Sequence, residues 1–586
     1  MNVYAAIACL AVAFASMAAV GQDLRNIRTG WTIPDEGYCD QPYVVVTKDG
    51  NWLCTLTTGS GKEGHQDQHI VATISADQGR TWSTPVDIEP ADGPEASWVM
   101  PLVTPSGRVY AFYTYNADKV RTLNGKSIRA DTLGCYAYKY SDDGGRTWSE
   151  ERYRLPLRLT KVDRENEWHG EVQLFWGIGK PVAFGNTVYL TFTKVGKHLV
   201  DKSEGCVFRS ENVFDVEDPN DIEWQMLPDG DVGIRSPALG DVQAEHNIVV
   251  LGNGDLYDMF RTVQGHPAHA YSRDRGHTWT EPEHATYTPG GRAFKNPRAC
   301  PRIWRTRNGN YLFWFHHNGL KDFNGRNPVW ISGGIERDGY IHWSQPEILL
   351  YDPAPNTRIS YPDLIEQDGR YWITETQKSV ARVHAVDPTL LEGLWRQQEH
   401  KTCAEKGLLL ALDADALEAA SDTVMPRLDC SAGFTIDLWL AFSALDPGQV
   451  VLDSRDQDGR GVAITTVEGG GLRLDFSDGE HQAGWDSDPG LLKPGALHHV
   501  VFIADGGPRI ISVVVDGLLC DGGTHREFGW GRFGEMGVLS GSDALQLAPS
   551  LNGELKLVHI YGRYLRTSEA VGNYRAGLSR TARGRN

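Results

Sequence analysis

Glu245 and Arg261 stand at the two ends of one hairpin-like segment, Glu245-His-Asn-Ile-Val-Val-Leu-Gly-Asn-Gly-Asp-Leu-Tyr-Asp-Met-Phe-Arg261. The carboxylate begins one apolar run and the arginine ends the next. An Asn-Gly turn lies between them, so both point to the same mouth of a strand pair. A carboxylate in that place can take a proton, and a guanidinium can fork onto two oxygens of a carboxylate or sulfate. Other polar groups fall in loops or at strand ends: Trp168-His169-Gly-Glu171, His316-His317-Asn318, Arg298 and Arg302. Of these, Trp168 and His316 are candidate ligand contacts or structural groups. A histidine pair suits a metal ion, but the spacing suggests no third ligand. Neither a metal nor another cofactor is expected.

Such groups need a scaffold, and three copies of one eight-residue pattern announce it. They are Ser75-Ala-Asp77-Gln-Gly79-Arg-Thr81-Trp82, Ser141-Asp-Asp143-Gly-Gly145-Arg-Thr147-Trp148 and Ser272-Arg-Asp274-Arg-Gly276-His-Thr278-Trp279. Asp and Ser bond local backbone N–H groups, Gly takes a positive φ, and Trp packs between sheets. The copies are spaced by one and then two periods of roughly sixty residues, which is the length of a four-stranded blade. Degenerate copies run from Ser210 to Trp224 and from Ser332 to Trp343, with a weak one from Ser379 to Trp395. Strand-like runs such as Pro42-Tyr-Val-Val-Val46, Val109-Tyr-Ala-Phe-Tyr113 and Tyr189-Leu-Thr-Phe-Thr193 lie between Gly, Asp and Asn turns. Six blades fit residues 22–395. The pattern resembles the Asp-box of the sialidase-type β-propeller. It reports architecture and not chemistry.

The chain has 586 residues and a formal net charge of −19, which argues against nucleic acid and against an anionic membrane surface as partners. Any anionic substrate then needs a local basic pocket. Residues 1–21 read as a signal peptide: the stretch is apolar and small, uncharged, and ends at Ala19-Val20-Gly21. A secreted or periplasmic protein is expected, with no membrane insertion. The later cysteines have no C-x-x-C spacing, so zinc is not expected; Cys39 and Cys54 flank a hairpin and are open to pairing or to remaining thiols. A polar linker, residues 396–407, precedes alternating runs such as Phe434-Thr-Ile-Asp-Leu-Trp-Leu440 and Ile511-Ser-Val-Val-Val-Asp-Gly517. Residues 408–566 resemble a laminin-G-like, concanavalin A-type jelly-roll sandwich, with 567–586 as a tail. Trp485 and Trp530 are sugar platforms or core. The fold class is all-β: a six-bladed propeller followed by a sandwich.

The sialidase resemblance extends to single residues. Members of that family hold the substrate carboxylate with three arginines, use a Tyr activated by a Glu as nucleophile, and use an Asp as acid/base. Glu245 through Arg261 is similar to the segment joining that Glu to the second arginine. Asn324-Gly-Arg326-Asn-Pro resembles the third-arginine segment. Ser360-Tyr361-Pro-Asp363-Leu364 resembles the nucleophile segment, and Glu375 matches the acidic residue ending the next strand. The resemblance thus implies Tyr361 and Glu245 as catalytic groups, with Arg261, Arg326 and Glu375 at the substrate. Two parts differ. The first arginine's place holds Asp40, and the acid/base position falls on Gly64. Asp40, Asp67 and His65 are the neighbouring candidates for the proton or for sugar contacts. The expected activity is exo-hydrolysis of a terminal α-linked sialic acid or related acidic sugar from a glycan. A hydrolase or lyase for another acidic or sulfated sugar, and a non-catalytic glycan-binding propeller, are the alternatives.

Overall fold

The computed structural model describes residues 23–65, 67–197, 201–418, 423–542 and 544–578. Residues 1–21, expected from sequence to be a signal peptide, lie outside the described residues. Among the described residues no helix is long and apolar enough to cross a membrane.

Six antiparallel sheets follow one another along the chain. The first blade is Tyr38–Val46, Trp52–Gly59, His69–Ser75 and Val86–Glu89; the second is Ala96–Val103, Val109–Tyr115, Cys135–Ser141 and Tyr153–Arg154. In the third, Leu174–Trp176 and Val182–Phe184 both pair with Thr187–Val195, followed by Glu204–Ser210 and Gln225–Leu227. The fourth is Ala244–Val250, Leu256–Arg261, Ala268–Ser272 and Glu283–His284. The fifth is built on Arg302–Arg305, Tyr311–Phe315 and Val329–Arg337. The sixth is Leu364–Gln367, Arg370–Thr376 and Ala381–Val386, and its outer strand is Trp31–Ile33 from the other end of the propeller. That pairing, Trp31 opposite Val383, closes the ring without leaving the last sheet an open edge.

The three complete boxes explain how blades stack. In the first, Gly79 N donates to Ser75 Oγ at 2.8 Å and Thr81 N to Asp77 Oδ1 at 2.8 Å. The other two repeat both bonds within 0.1 Å. Each box glycine has a positive φ and abuts the preceding blade. A Cβ on Gly79 would stand 2.8 Å from Val383 of the sixth blade, and one on Gly145 would stand 2.3 Å from Leu53 of the first. The glycines are needed for conformation and for close approach together. The weak later copies are not boxes. Ser332 lies inside the strand Val329–Arg337. Ser379 precedes a strand, and Pro388–Trp395 is a helix capped by Asp387.

The second domain is a two-sheet sandwich. Phe434, Ile436, Leu438 and Leu440 alternate into its core against Val462, Ile464, Leu472, Leu474 and Phe476 of the facing sheet. The strand Leu497–Asp505 is buried on both faces: Val500, Phe502 and Ala504 enter that core, while Val501 and Ile503 pack with Trp330, Phe315 and Tyr351 of the propeller. Two expectations change here. Thr567–Ala576, placed in a tail by sequence, is a helix whose first N–H groups bond Glu347 of the fifth blade. Trp530 is core, donating Nε1 to the His317 carbonyl at 2.9 Å, and Trp485 is partly buried under Arg526. Cys39 and Cys54 are separate thiols.

Candidate active site

The innermost strands of three blades break register at the same point: between Asp40 and Tyr43, Ser97 and Met100, and Ala244 and Asn247. Each bulge holds a non-glycine residue at positive φ, namely Gln41 at 52°, Trp98 at 61° and Glu245 at 60°. A bulge re-aims a side chain that regular alternation would send into the interface between blades. Tyr361, at φ 48°, does the same just before the sixth inner strand. Four blades therefore turn one residue each toward a common axial point, and the strained conformations mark it as built for a purpose.

At that point Tyr361 Oη donates to Glu245 Oε1 at 2.8 Å. Arg261 Nη1 donates to the same oxygen at 2.5 Å. The bulge is fixed from the third blade, where Thr193 Oγ1 accepts from Glu245 N at 3.0 Å. All three side chains are buried. Burial raises the Tyr361 pKa, and Glu245 adds to this, while Lys378, Arg261 and Arg326 oppose it. Arg326 Nη1 donates to Ser360 Oγ at 2.8 Å and Nη2 to the Arg298 carbonyl at 2.7 Å. Trp98, Trp168, Trp176 and Cys300 pack with Tyr361 in one apolar cluster beneath these charges.

The opposite wall carries a chain of alternating charges. Lys378 Nζ lies 4.3 Å from the centre of the Tyr361 ring, a cation over a π face. It donates to Asp40 Oδ2 and stands 3.2 Å from Glu63 Oε2. Arg129 Nη2 donates to Glu63 Oε1 at 2.6 Å, and Nε and Nη2 together grip the two oxygens of Asp131. Asp40 is fully buried, and Tyr38 Oη also donates to it at 3.1 Å. Burial pushes the Asp40 carboxyl up against the pull of Lys378. Burial acts the same way on Glu63, but there Lys378 and Arg129 outweigh it and hold the group below the usual carboxylate range. The carboxylates and cations of this wall are paired with one another.

Residues 50–373, more than half of the chain, match the model of the BNR repeat-like domain. The chain belongs to the BNR repeat-like domain family. In this BNR repeat-like protein a second match, over residues 415–571, is to the concanavalin A-like lectin/glucanases superfamily. No curated protein matches the sequence. Similar solved structures include a protein of unknown function from Dyadobacter fermentans, 14% identical over 61% of this chain and 97% of that one, with a TM-score of 0.44. Trypanosoma rangeli sialidase is also 14% identical, over 93% and 96% of the two chains, with a TM-score of 0.44. A Hadza microbial sialidase is 17% identical over 59% and 66%, with a TM-score of 0.43.

The BNR repeat-like propeller brings together Glu245, Arg261, Arg326, Tyr361, Trp168 and Asp40, and it separates others expected beside them. Asp67 turns away from the tyrosine: Ser60 N donates to it at 3.0 Å, and with His65 and Arg121 it lines a separate depression of about 580 Å³. Glu63, just before the reversal at Gly64 (φ 81°), turns inward to Lys378 and Arg129, while Asp67 beyond it turns outward. Glu375 is also displaced. Thr374 and Thr376 face the first blade, bonding the Pro42 and Cys39 carbonyls, so alternation turns Glu375 to the other face of the sheet, beside His384 and Arg382. His316 is buried with its pKa pushed down to about 3, by burial first and Arg326 second, so it is neutral at any ordinary pH. Glu63, Arg129 and Lys378 were not singled out by sequence. The one available signal was Glu63, adjacent to the position where an acid was missing.

Proposed function

We propose that the protein is a glycoside hydrolase that removes a terminal acidic sugar, sialic acid or a close relative, from glycans. The observation that carries this reading is the 2.8 Å bond from Tyr361 Oη to a Glu245 oxygen that Arg261 also holds. A phenol is a poor nucleophile until its proton leaves, and a carboxylate within hydrogen-bond reach can accept that proton as attack proceeds. Tyr361 Oη forms a bond to the anomeric carbon, the bond from that carbon to the leaving oxygen breaks, and the phenolic proton passes to Glu245. The leaving oxygen takes a proton from the Asp40–Lys378–Glu63 group, where Asp40 is the carboxyl favoured to hold one. Water then attacks the anomeric carbon and gives a proton to the Asp40 group, and the tyrosyl–sugar bond breaks as Glu245 returns its proton to the Tyr361 oxygen. Arg261 holds Glu245 in place and disperses its charge.

The first test is release of free sugar from sialyl, uronosyl and sulfated glycosides by wild type and by Tyr361→Phe. Release of an acidic sugar by wild type, abolished in the variant, is expected. Release that survives in Tyr361→Phe, or no release from any acidic glycoside, rejects the reading. One observation favours a second reading, a hydrolase or lyase for another acidic or sulfated sugar. Asp40 stands where the family resemblance implies an arginine, and it is joined to Lys378. A lyase would leave an unsaturated uronate, detected by its ultraviolet absorbance, with no water consumed.

A further inference from the structure

Arg298 sits on the connection between the fourth and fifth blades, and its position is fixed from several sides. Its N–H donates to the Asp322 carbonyl at 2.8 Å, and its carbonyl accepts from Arg326 Nη2 at 2.7 Å. Asn296, two residues earlier, donates to the Ala299 carbonyl at 3.1 Å and accepts from His316 N at 3.0 Å. The side chain is half-buried. The groups that set its electrostatic environment are Arg261, Glu245, Tyr361 and Arg326. Among the described residues it makes no ion pair. Arg326 is fully enclosed and bonds only neutral acceptors, and its Nε is buried without a partner.

The charge count around the tyrosine is therefore uneven. Arg261 is neutralised by Glu245, and Lys378 and Arg129 by Asp40, Glu63 and Asp131. Arg298 and Arg326 are left as neighbouring cations without an ion pair among the described residues, and Arg358 adds a further positive charge beside Arg326. Burial pushes both pKa values down, with Arg261 and Arg326 adding to the effect at Arg298, and Arg358 and Arg261 adding to it at Arg326. Two unneutralised guanidinium groups in a partly dry site are costly unless an anion arrives with the ligand. A fork from each side of one oxyanion is the arrangement that arginines favour.

We propose that Arg298, together with Arg326, binds the anionic group of the substrate, a sugar carboxylate or sulfate, on the wall formed by the fourth and fifth blades. Arg298 thus supplies a cation that the first blade, with Asp40, does not. The inference rests on the glycosidase reading above and adds the location of the anion and the residue that selects it.

The test measures binding and not turnover. Calorimetric affinities are taken for N-acetylneuraminic acid, glucuronic acid and galactose 6-sulfate, and for their uncharged counterparts, the two methyl esters and galactose. The proteins are wild type, Arg298→Gln and Arg298→Lys. The acid that wild type prefers should bind about 10- to 100-fold more weakly to Arg298→Gln, with Arg298→Lys in between, while the uncharged counterpart keeps its affinity in all three. A purely structural role would weaken charged and uncharged ligands alike, which overturns the inference. So does an acid that binds Arg298→Gln as well as wild type; in both cases the glycosidase reading stands. If Arg298→Gln does not fold, the comparison of acid with ester in wild type and Arg298→Lys decides in the same way. A wild type that prefers no acid over its uncharged counterpart removes the acidic-sugar reading itself. Preference for the sulfate over both carboxylates identifies which oxyanion the pair takes.

Discussion

The two walls of the axial site use the same residue types to opposite ends. On the wall of the fourth, fifth and sixth blades, one carboxylate, Glu245, faces three arginines, and only Arg261 is paired with it. On the wall of the first and second blades, Asp40, Glu63 and Asp131 interlock with Arg129 and with Lys378, which reaches across from the sixth blade. The first wall has cations to offer a ligand; the second has already satisfied its own. A ligand anion gains from the first and meets no free cation on the second. The second wall instead offers acceptors for sugar hydroxyls and a place where a proton can be stored. Ion-pair lists alone would call both walls charged. The difference lies in which charges lack partners.

If covalent chemistry belongs to the first wall, Tyr361→Phe should have the largest effect, a loss of about 10⁴-fold or more in kcat on any competent substrate. Leaving-group activation should not rescue it, because the missing group forms the bond. Asp40→Asn probes the second wall and should behave differently. If this group delivers the proton, the variant should lose about 10²–10⁴-fold on a substrate with a poor leaving group and much less on an activated one. Glu63→Gln, tested beside it, should affect the two substrates equally, since Glu63 is held ionised by its neighbours. A leaving-group-dependent loss in Glu63→Gln and none in Asp40→Asn would exchange the two assignments. Equal losses on both substrates in Asp40→Asn would remove proton delivery from this wall.

The fold was legible because its signals are local. Ser75, Asp77, Gly79 and Thr81 bond one another within seven residues, and their spacing repeats with the blade. Glu245 and Arg261 were singled out by resemblance, and the hairpin that carries both explains why their ends meet. Tyr361 and Arg326 came from resemblance, and the structure places them by the axis with that pair. The second wall was not legible. Lys378 reaches Asp40 across more than three hundred residues of sequence, and no periodicity marks it. Asp67 and Glu63 lie on either side of the reversal at Gly64, and nothing in the sequence marks which one turns inward. Glu375 was misplaced by one strand position, because the alternation of its strand was not fixed until Thr374 and Thr376 were seen to bond the first blade.

The smallest effect expected from this comparison concerns stability, and it comes from Glu95, at the entry to the second blade's inner strand. Its carboxyl is buried, Arg121 is 3.3 Å away, and its pKa is pushed up to about 8, by burial first and by Asp131 second. The ordinary value is 4.5. A carboxyl whose folded-state pKa is raised binds its proton more tightly in the native state than in the unfolded chain. Between the two values the native state therefore carries more protons, and stability falls as pH rises. The contribution is fully present below about pH 4.5 and is lost by about pH 8, at up to about 1.4 kcal/mol per pH unit across the window. Glu95→Gln keeps the shape and removes the titration. Calorimetric melting of the two proteins from about pH 5 to about pH 8 should show wild type losing stability relative to the variant, with Glu95→Gln the more stable at the upper end. Parallel curves would mean that Arg121 fully compensates the burial of Glu95, and the second wall would then be as neutral in its interior as it is at its mouth.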